Sequence, residues 1–347
     1  MKKLFFILLL CSVYTNSFST IQNEIDSIKQ LIKTQKTDSI LIKTYLTLSS
    51  KYLNEDNDSA LAYAEKALHF ASSISNKKLK AVALFRIGKI HFNLGNLPNT
   101  LNYCHQSLVL AKSIDYNLYI AQNYKFIGEL YGYEKDYENA LNHQYKALTI
   151  FQSKMDSLNL ARTYDNIAIY HRRLATYDSS LFYLNLAIEI NNKLTNYRSL
   201  SFNYNNMASL FLVKKEYDKA EEYYLKSIAI REKYNLTQDL LQSYNNLGNL
   251  FYNTKEYNKA IPYFNSGIKI SKQIKIIRHL PLIYDNLSKT YYELGNYKLA
   301  LEHTKNQYLY ADRINSTETQ ILITNNVQEI KNTEEQYNKL LLQAEVK

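Results

Sequence analysis

Residues whose types suit catalysis are present but poorly placed for it. The seven histidines of this 347-residue chain show no spacing that pairs two of them as metal ligands. Cys104 and His105 are adjacent, and neighbours on a helix diverge by ~100°, so they do not share a metal. Glu221–Glu222 and Glu334–Glu335 are carboxylate pairs that read as solvated helix faces. No phosphate loop, HExxH or GxSxG motif occurs. The residues offer no catalytic, cofactor-binding or metal-binding candidate, and the expectation is a protein that is not an enzyme and carries no cofactor.

A different chemistry recurs. Asn166, Asn206, Asn246 and Asn286 stand 40 residues apart. Asn inside a helix is unfavourable by several tenths of a kcal/mol relative to Ala, so a repeated one invites a reason. Each amide offers one carbonyl acceptor and an NH2 donor, which suits a peptide backbone of any sequence. The competing explanation is that Asn is abundant in this chain and tolerated on an exposed face.

The element that positions these amides is a repeat. Tyr124, Tyr164, Tyr204, Tyr244 and Tyr284 are 40 apart, as are Tyr137, Tyr177, Tyr217, Tyr257 and Tyr297. Small residues recur at Gly88, Gly128, Ala168, Ala208, Gly248 and Ser288, and again at Ala140, Ser180, Ala220, Ala260 and Ala300. An aromatic ring or His follows the first small series by three: His91, Tyr131, His171, Phe211, Phe251 and Tyr291. His91 and His171 are therefore packing residues.

Each unit reads as two helices. With units counted from 121, 161, 201 and so on, positions 4, 7, 8 and 11 form one apolar-small face at ~100° per residue. Small residues at 8, 20 and 27 let two helix backbones approach, and stacked neighbours bury the faces that a single pair leaves open. Positions 2, 6, 9 and 13 lie opposite. That stripe carries Arg86, Lys89, Arg162, Arg173 and Lys289 against Glu129 and Glu293, with Asn249, Phe126, Phe202, Tyr133 and Leu282 among them. Asn205 and Asn245 fall on the flank of the first helix, where they are weaker candidates than Asn206 and Asn246.

The stretches "YNNLGNLFYNTKEYNKAIPYFNSGIKI" (244–270) and "YDNLSKTYYELGNYKLALEH" (284–303) resemble the tetratricopeptide repeat, and the resemblance recurs over about 280 of the 347 residues. It implies an all-α, right-handed α-solenoid of stacked antiparallel helix pairs, about seven units starting near 40, 81, 121, 161, 201, 241 and 281. The period is 40 where the family has 34, and the extra residues are expected in the second helix and its connector. Long units with Asn-Asn before the apolar-small pair resemble those of kinesin light chain. The resemblance implies that the first helices line a concave groove. A peptide held there would meet Asn166, Asn206, Asn246, Asn286, Asn249, Arg86, Lys89, Arg162, Arg173, Lys289, Phe126 and Phe202. The surplus of cations on that stripe suits a protein or extended peptide carrying acidic and apolar side chains.

Composition and the chain ends complete the expectation. Gly (7) and Pro (3) are scarce, which predicts mostly helix and few sharp turns. The formal charge is +10, but the Lys surplus is dispersed, which speaks against nucleic acid as a partner. Lys2 and Lys3 followed by apolar Leu4–Leu10 and a Ser17-x-Ser19 site form a signal peptide over 1–19, so the chain is expected to be exported to the periplasm or secreted. The alternative is a lipoprotein signal with Cys11 acylated; a membrane role follows only from that, or from an uncleaved signal. Residues 20–36 are expected to form an N-terminal capping helix, 37–320 the seven-unit array, and 321–347 a C-terminal helix or stem and a candidate homodimer contact. This layout resembles the input regions of bacterial tetratricopeptide sensor proteins. The alternative function is thus a periplasmic sensor or accessory subunit whose output domain sits on another chain.

Overall fold

The structure, a computed structural model, describes residues 25–28, 30, 38–53 and 56–314. The signal segment 1–19, most of the N-terminal capping segment and the 321–347 stem lie outside the described residues. The described residues form helices and turns without strands, and none of the helices is long and apolar enough to cross a membrane. In chain order the α-helices are α1 Asp38–Tyr52, α2 Asn57–Ser73, α3 Lys77–Asn93, α4 Leu97–Lys112, α5 Asn117–Tyr133, α6 Tyr137–Ser153 and α7 Ser157–Arg173. They continue as α8 Tyr177–Lys193, α9 Tyr197–Val213, α10 Tyr217–Lys233, α11 Thr237–Asn253, α12 Tyr257–Gln273, α13 Leu280–Glu293 and α14 Tyr297–Ile314, with a 3-10 turn Ile277–His279 before α13.

The chain divides into two compact units, residues 1–163 and 164–347. In the first, α1 pairs with α2, α3 with α4 and α5 with α6. In the second, α9 pairs with α10, α11 with α12 and α13 with α14. Within each unit, each of these pairs also packs on the next, as a stack requires to bury both helix faces.

The turns correct one expectation. Scarce Gly does not mean few sharp turns. A left-handed backbone residue recurs at intervals of 20, at Ser75, Gly95, Asp115, Lys135, Met155, Ala175, Thr195, Lys215, Asn235, Lys255, Lys275 and Gly295. Each closes a helix in the Schellman manner, with Asn96 N–H donating to His91 O (2.8 Å) and Thr176 N–H to His171 O (2.9 Å) as examples. The next residue often starts the following helix: Asn76, Asn96, Asp136, Asp156, Asn196 and Asn296 each accept a backbone N–H from three residues on. The period of 40 is thus two near-equal halves. Most helices of both classes have 17 residues, so the extra length is shared between the helices and is not confined to the second one and its connector.

The recurrent residues pack as their spacing implied. Each ring at 91, 131, 171, 211, 251 or 291 stacks on a ring twelve residues later in its partner helix, with centroids 5.1 to 5.7 Å apart. His91 lies on Tyr103 and His171 on Tyr183. Gly248 marks the closest approach: a Cβ there would stand 2.6 Å from the Phe264 ring. Serines in the small series are hydrogen-bonded across helices, with Ser227 Oγ donating to Ser201 O and Ser107 Oγ to Ala81 O, both at 2.8 Å.

Candidate functional site

The asparagine series is the most regular feature of the second unit. Asn206 Nδ2 donates to both carboxylate oxygens of Asp165 (2.9 and 3.0 Å). Asn246 Nδ2 donates to Asn205 Oδ1 (2.9 Å), and Asn286 Nδ2 to Asn245 Oδ1 (2.8 Å). Position 6 of one repeat is thus tied to position 5 of the repeat before it. Asn205 and Asn245 are buried, at 3 % and 8 % exposure, and are not flank residues. The amide donors expected to face a ligand are spent between repeats, because stacked first helices bring these two positions together. Asn166 is half-buried at the same register, as is Asn249 at position 9. The signal was present in the sequence as an acceptor at 165, 205 and 245, forty-one residues before each Asn.

Asp165 is the anionic member of this network. It also accepts from Asn203 Nδ2 (2.8 Å), whose Oδ1 accepts from Asn191 Nδ2 (2.7 Å). Burial pushes the Asp165 carboxyl above its ordinary range, against the pull of the Asn206 and Asn203 hydrogen bonds. Arg173 is exposed, and Lys289 is exposed with its Nζ 2.7 Å from Asp285.

The first unit presents a cationic face beside an aromatic ladder. Arg86 and Lys89 on α3 are half-buried and Arg162 on α7 is exposed. Lys125 pairs with Glu129 at 3.5 Å. Burial lowers the Lys89 ammonium below its ordinary range; Glu129 opposes this, while Arg86, Lys125 and Arg162 add to it. Burial also lowers Arg86. Alongside, rings meet edge to face from Tyr119 to Phe85, Phe126, Phe92 and Tyr133, at 5.6 to 5.8 Å. Phe126 is only 5 % exposed; it belongs to the packing and does not project as expected, because the rings on both sides cover it. The exposed end of the ladder is Tyr133.

The second unit also holds a pocket of about 390 Å³ between α9, α11 and the start of α13. Its walls are Phe202, Gln238, Asp239, Leu241, Gln242, Asn245, Asn246, Arg278, His279, Leu282 and Ile283. Phe202, Asn246 and Leu282 come from the expected stripe. The charged residues around it were not expected. Arg231 on α10 is fully buried, its guanidinium 4.6 Å from the Phe202 ring centre. Spacing alone does not show this, since Arg on a helix surface and Arg under a pocket have the same register.

Three stretches, residues 79–153, 119–193 and 200–273, match the family model of the tetratricopeptide repeat, and together they span more than half of the chain. The chain is a tetratricopeptide repeat protein. No curated protein matches its sequence. Among solved structures, this tetratricopeptide repeat protein is similar to the apo form of RapI, at TM-score 0.62 and 17 % identity over 79 % of this chain and 98 % of that one. It is similar to a Rap protein complexed with Competence and Sporulation Factor, at TM-score 0.57 and 15 % identity over 91 % of this chain and 98 % of that one. BtubC (BKLC) from P. vanneervenii matches at TM-score 0.54 and 17 % identity over 64 % and 93 %. At such identities the likeness is one of fold. Among the described residues of the tetratricopeptide repeat protein, no three His, Cys, Asp or Glu residues gather as metal ligands, and burial pushes the Cys104 thiol up to about 12.

Proposed function

We propose that the protein is an exported scaffold that binds a protein or extended peptide on its first-helix faces, and that the bound segment carries acidic and apolar side chains. The observation that carries this reading is the face of the first unit. Arg86 and Lys89 are half-buried among further cations with one carboxylate, Glu129, between them. Crowding like charges in partial burial costs stability, and an acidic ligand relieves it. Tyr133 offers an exposed ring beside them for an apolar side chain. The fold of a Rap protein complexed with Competence and Sporulation Factor supports the use of such a stack for recognition. In this reading the protein is exported on its N-terminal signal segment and serves as a binding subunit. A sensor subunit that passes binding to another chain is the alternative use of the same face.

Site-specific photocrosslinking in the native host tests this. A benzoylphenylalanine at Arg162 captures a partner segment rich in Asp or Glu, while one at exposed Val109 on α4 does not. Equal capture at both positions, or a partner segment without acidic residues, overturns the reading.

A further inference from the structure

The pocket of the second unit stands over an unusual charge. Arg231 is 0 % exposed, yet no carboxylate hydrogen-bonds to it. Its Nε donates to Ser201 Oγ (3.1 Å), and its Nη1 donates to Asp239 O (2.6 Å) and Ser243 Oγ (2.7 Å), all neutral acceptors. Its Nη2 is buried with no partner. The nearest acid, Asp239, is engaged elsewhere: Arg198 Nε and Nη2 donate to its two oxygens at 2.8 and 3.1 Å. Arg278, exposed on the pocket rim, donates from Nε to His279 Nε2 (3.3 Å). Burial and Arg278 hold His279 below the ordinary imidazole range, so it is neutral at pH 7 and accepts that bond. Arg198 thus neutralises the Asp239 carboxylate, which leaves Arg231 beneath the pocket and Arg278 on its rim without an acid bonded to either.

The uncharged walls define the rest of the ligand. Gln238 and Gln242 present side-chain amides, and Leu241, Leu282, Ile283 and the Phe202 ring present apolar surface. Leu282 is 55 % exposed although it belongs to an apolar wall. A volume near 390 Å³ lies at the small end of the roughly 300–1,000 Å³ of ligand pockets, which suits a few side chains of a longer chain.

We infer that this pocket is an anchor subsite for an extended peptide, taking one Asp or Glu side chain against Arg278 and the neighbouring apolar side chain against Leu282 and Phe202. The excess guanidinium charge selects the carboxylate. The amides hold the backbone on either side, which makes the subsite tolerant of the remaining sequence. Arg231 acts from beneath Phe202 as a buried positive charge that water does not screen. This inference rests on the peptide-binding reading and adds to it a second location and a defined anchor.

The test is a selection of random 12-residue peptides by mRNA display on the immobilised full chain, followed by anisotropy titration of the enriched peptides. Enrichment of an acidic residue beside an apolar one is expected. Arg278→Glu should weaken those peptides tenfold or more, and replacing the peptide's acid by its amide should do the same to wild type. The two changes together should cost less than their product, since both break one contact. Leu282→Asp is the second variant, and both exposed sites leave the helical melting curve unchanged. Enriched peptides that bind Arg278→Glu and Leu282→Asp as tightly as wild type overturn the subsite but leave peptide binding standing. A library that yields no binder overturns both.

Discussion

Asn246 Nδ2 lies 2.9 Å from Oδ1 of Asn205, forty-one residues earlier in the chain. The same bond joins Asn286 to Asn245, and Asn206 makes it with a carboxylate, Asp165. A ladder of amides thus clamps successive repeats in the second unit. Asn246→Ala removes the donor and leaves a buried carbonyl oxygen on Asn205. Urea denaturation should show a loss of about 1–2 kcal/mol. An unchanged midpoint would mean that the bond contributes nothing.

Asp165 is the one rung of this ladder with an anionic acceptor, and its carboxyl is raised by burial. A folded-state pKa above the unfolded value of 3.8 means stability that is fully present below 3.8 and lost as pH rises through the folded value. Asp165→Asn keeps the acceptor oxygen, as Asn205 and Asn245 do in their rungs, and removes the buried charge. The variant should be more stable than wild type at pH 7, by about 1 kcal/mol, and should lose that advantage in acid. Chemical denaturation at pH 7 and pH 4 decides it.

Histidine stacks give an opposite pH dependence in a separate window. Burial holds His143, His171 and His303 below the ordinary value of 6.5. Their contribution is present above 6.5 and is lost as pH falls through the depressed folded values, because the unfolded chain then takes up more protons. His171 stacks on Tyr183 where the next unit has Phe211 on Tyr223. His171→Phe should therefore leave the melting temperature at pH 7.5 nearly unchanged and soften its fall between pH 6.5 and pH 5. Parallel curves for variant and wild type would exclude His171 as a contributor.

Gly248 faces the ring of Phe264 with no space for a Cβ, which would stand 2.6 Å away. Gly248→Ala should cost about 1–3 kcal/mol, although Ala is the better helix former. The equivalent position holds Ala208 in the preceding repeat, so the loss reflects the partner across the helix pair and not the register. A stability equal to wild type would show that Phe264 moves aside.

Thr195 occupies a left-handed turn position at φ 50°, where a β-branched side chain is strained. Thr195→Gly should stabilise the protein by about 1 kcal/mol, the relief of that strain less the added freedom of the unfolded chain. Differential scanning calorimetry reads it as a raised melting temperature; a lowered one would show that the strain is absent.

Much of the fold was legible because it repeats. A single Tyr or Ala says little, but Tyr204, Tyr244 and Tyr284 at one spacing can only serve the same packing role in successive units. The turns were less legible. Among the described residues, ten non-Gly residues adopt the left-handed conformation, and residue type alone does not reveal it, because the helices on both sides impose it. Of the candidate site, Arg86 and Arg162 lie within electrostatic reach of Lys89, while Phe126 is packed away and Asn206, Asn246 and Asn286 donate to their neighbours.

The sequence by itself determined the helical unit, its period and the residues that pack, because those follow from local periodicity and from volume at fixed positions. Only the tertiary structure decided which polar groups are spent and which are left over. Asn246 and Arg231 depend on the helices beside them: stacking brought Asn205 within 2.9 Å of one, and left the other buried under Phe202 with one nitrogen unpaired. Such pairings join residues on different helices, and no local pattern encodes the distance between them.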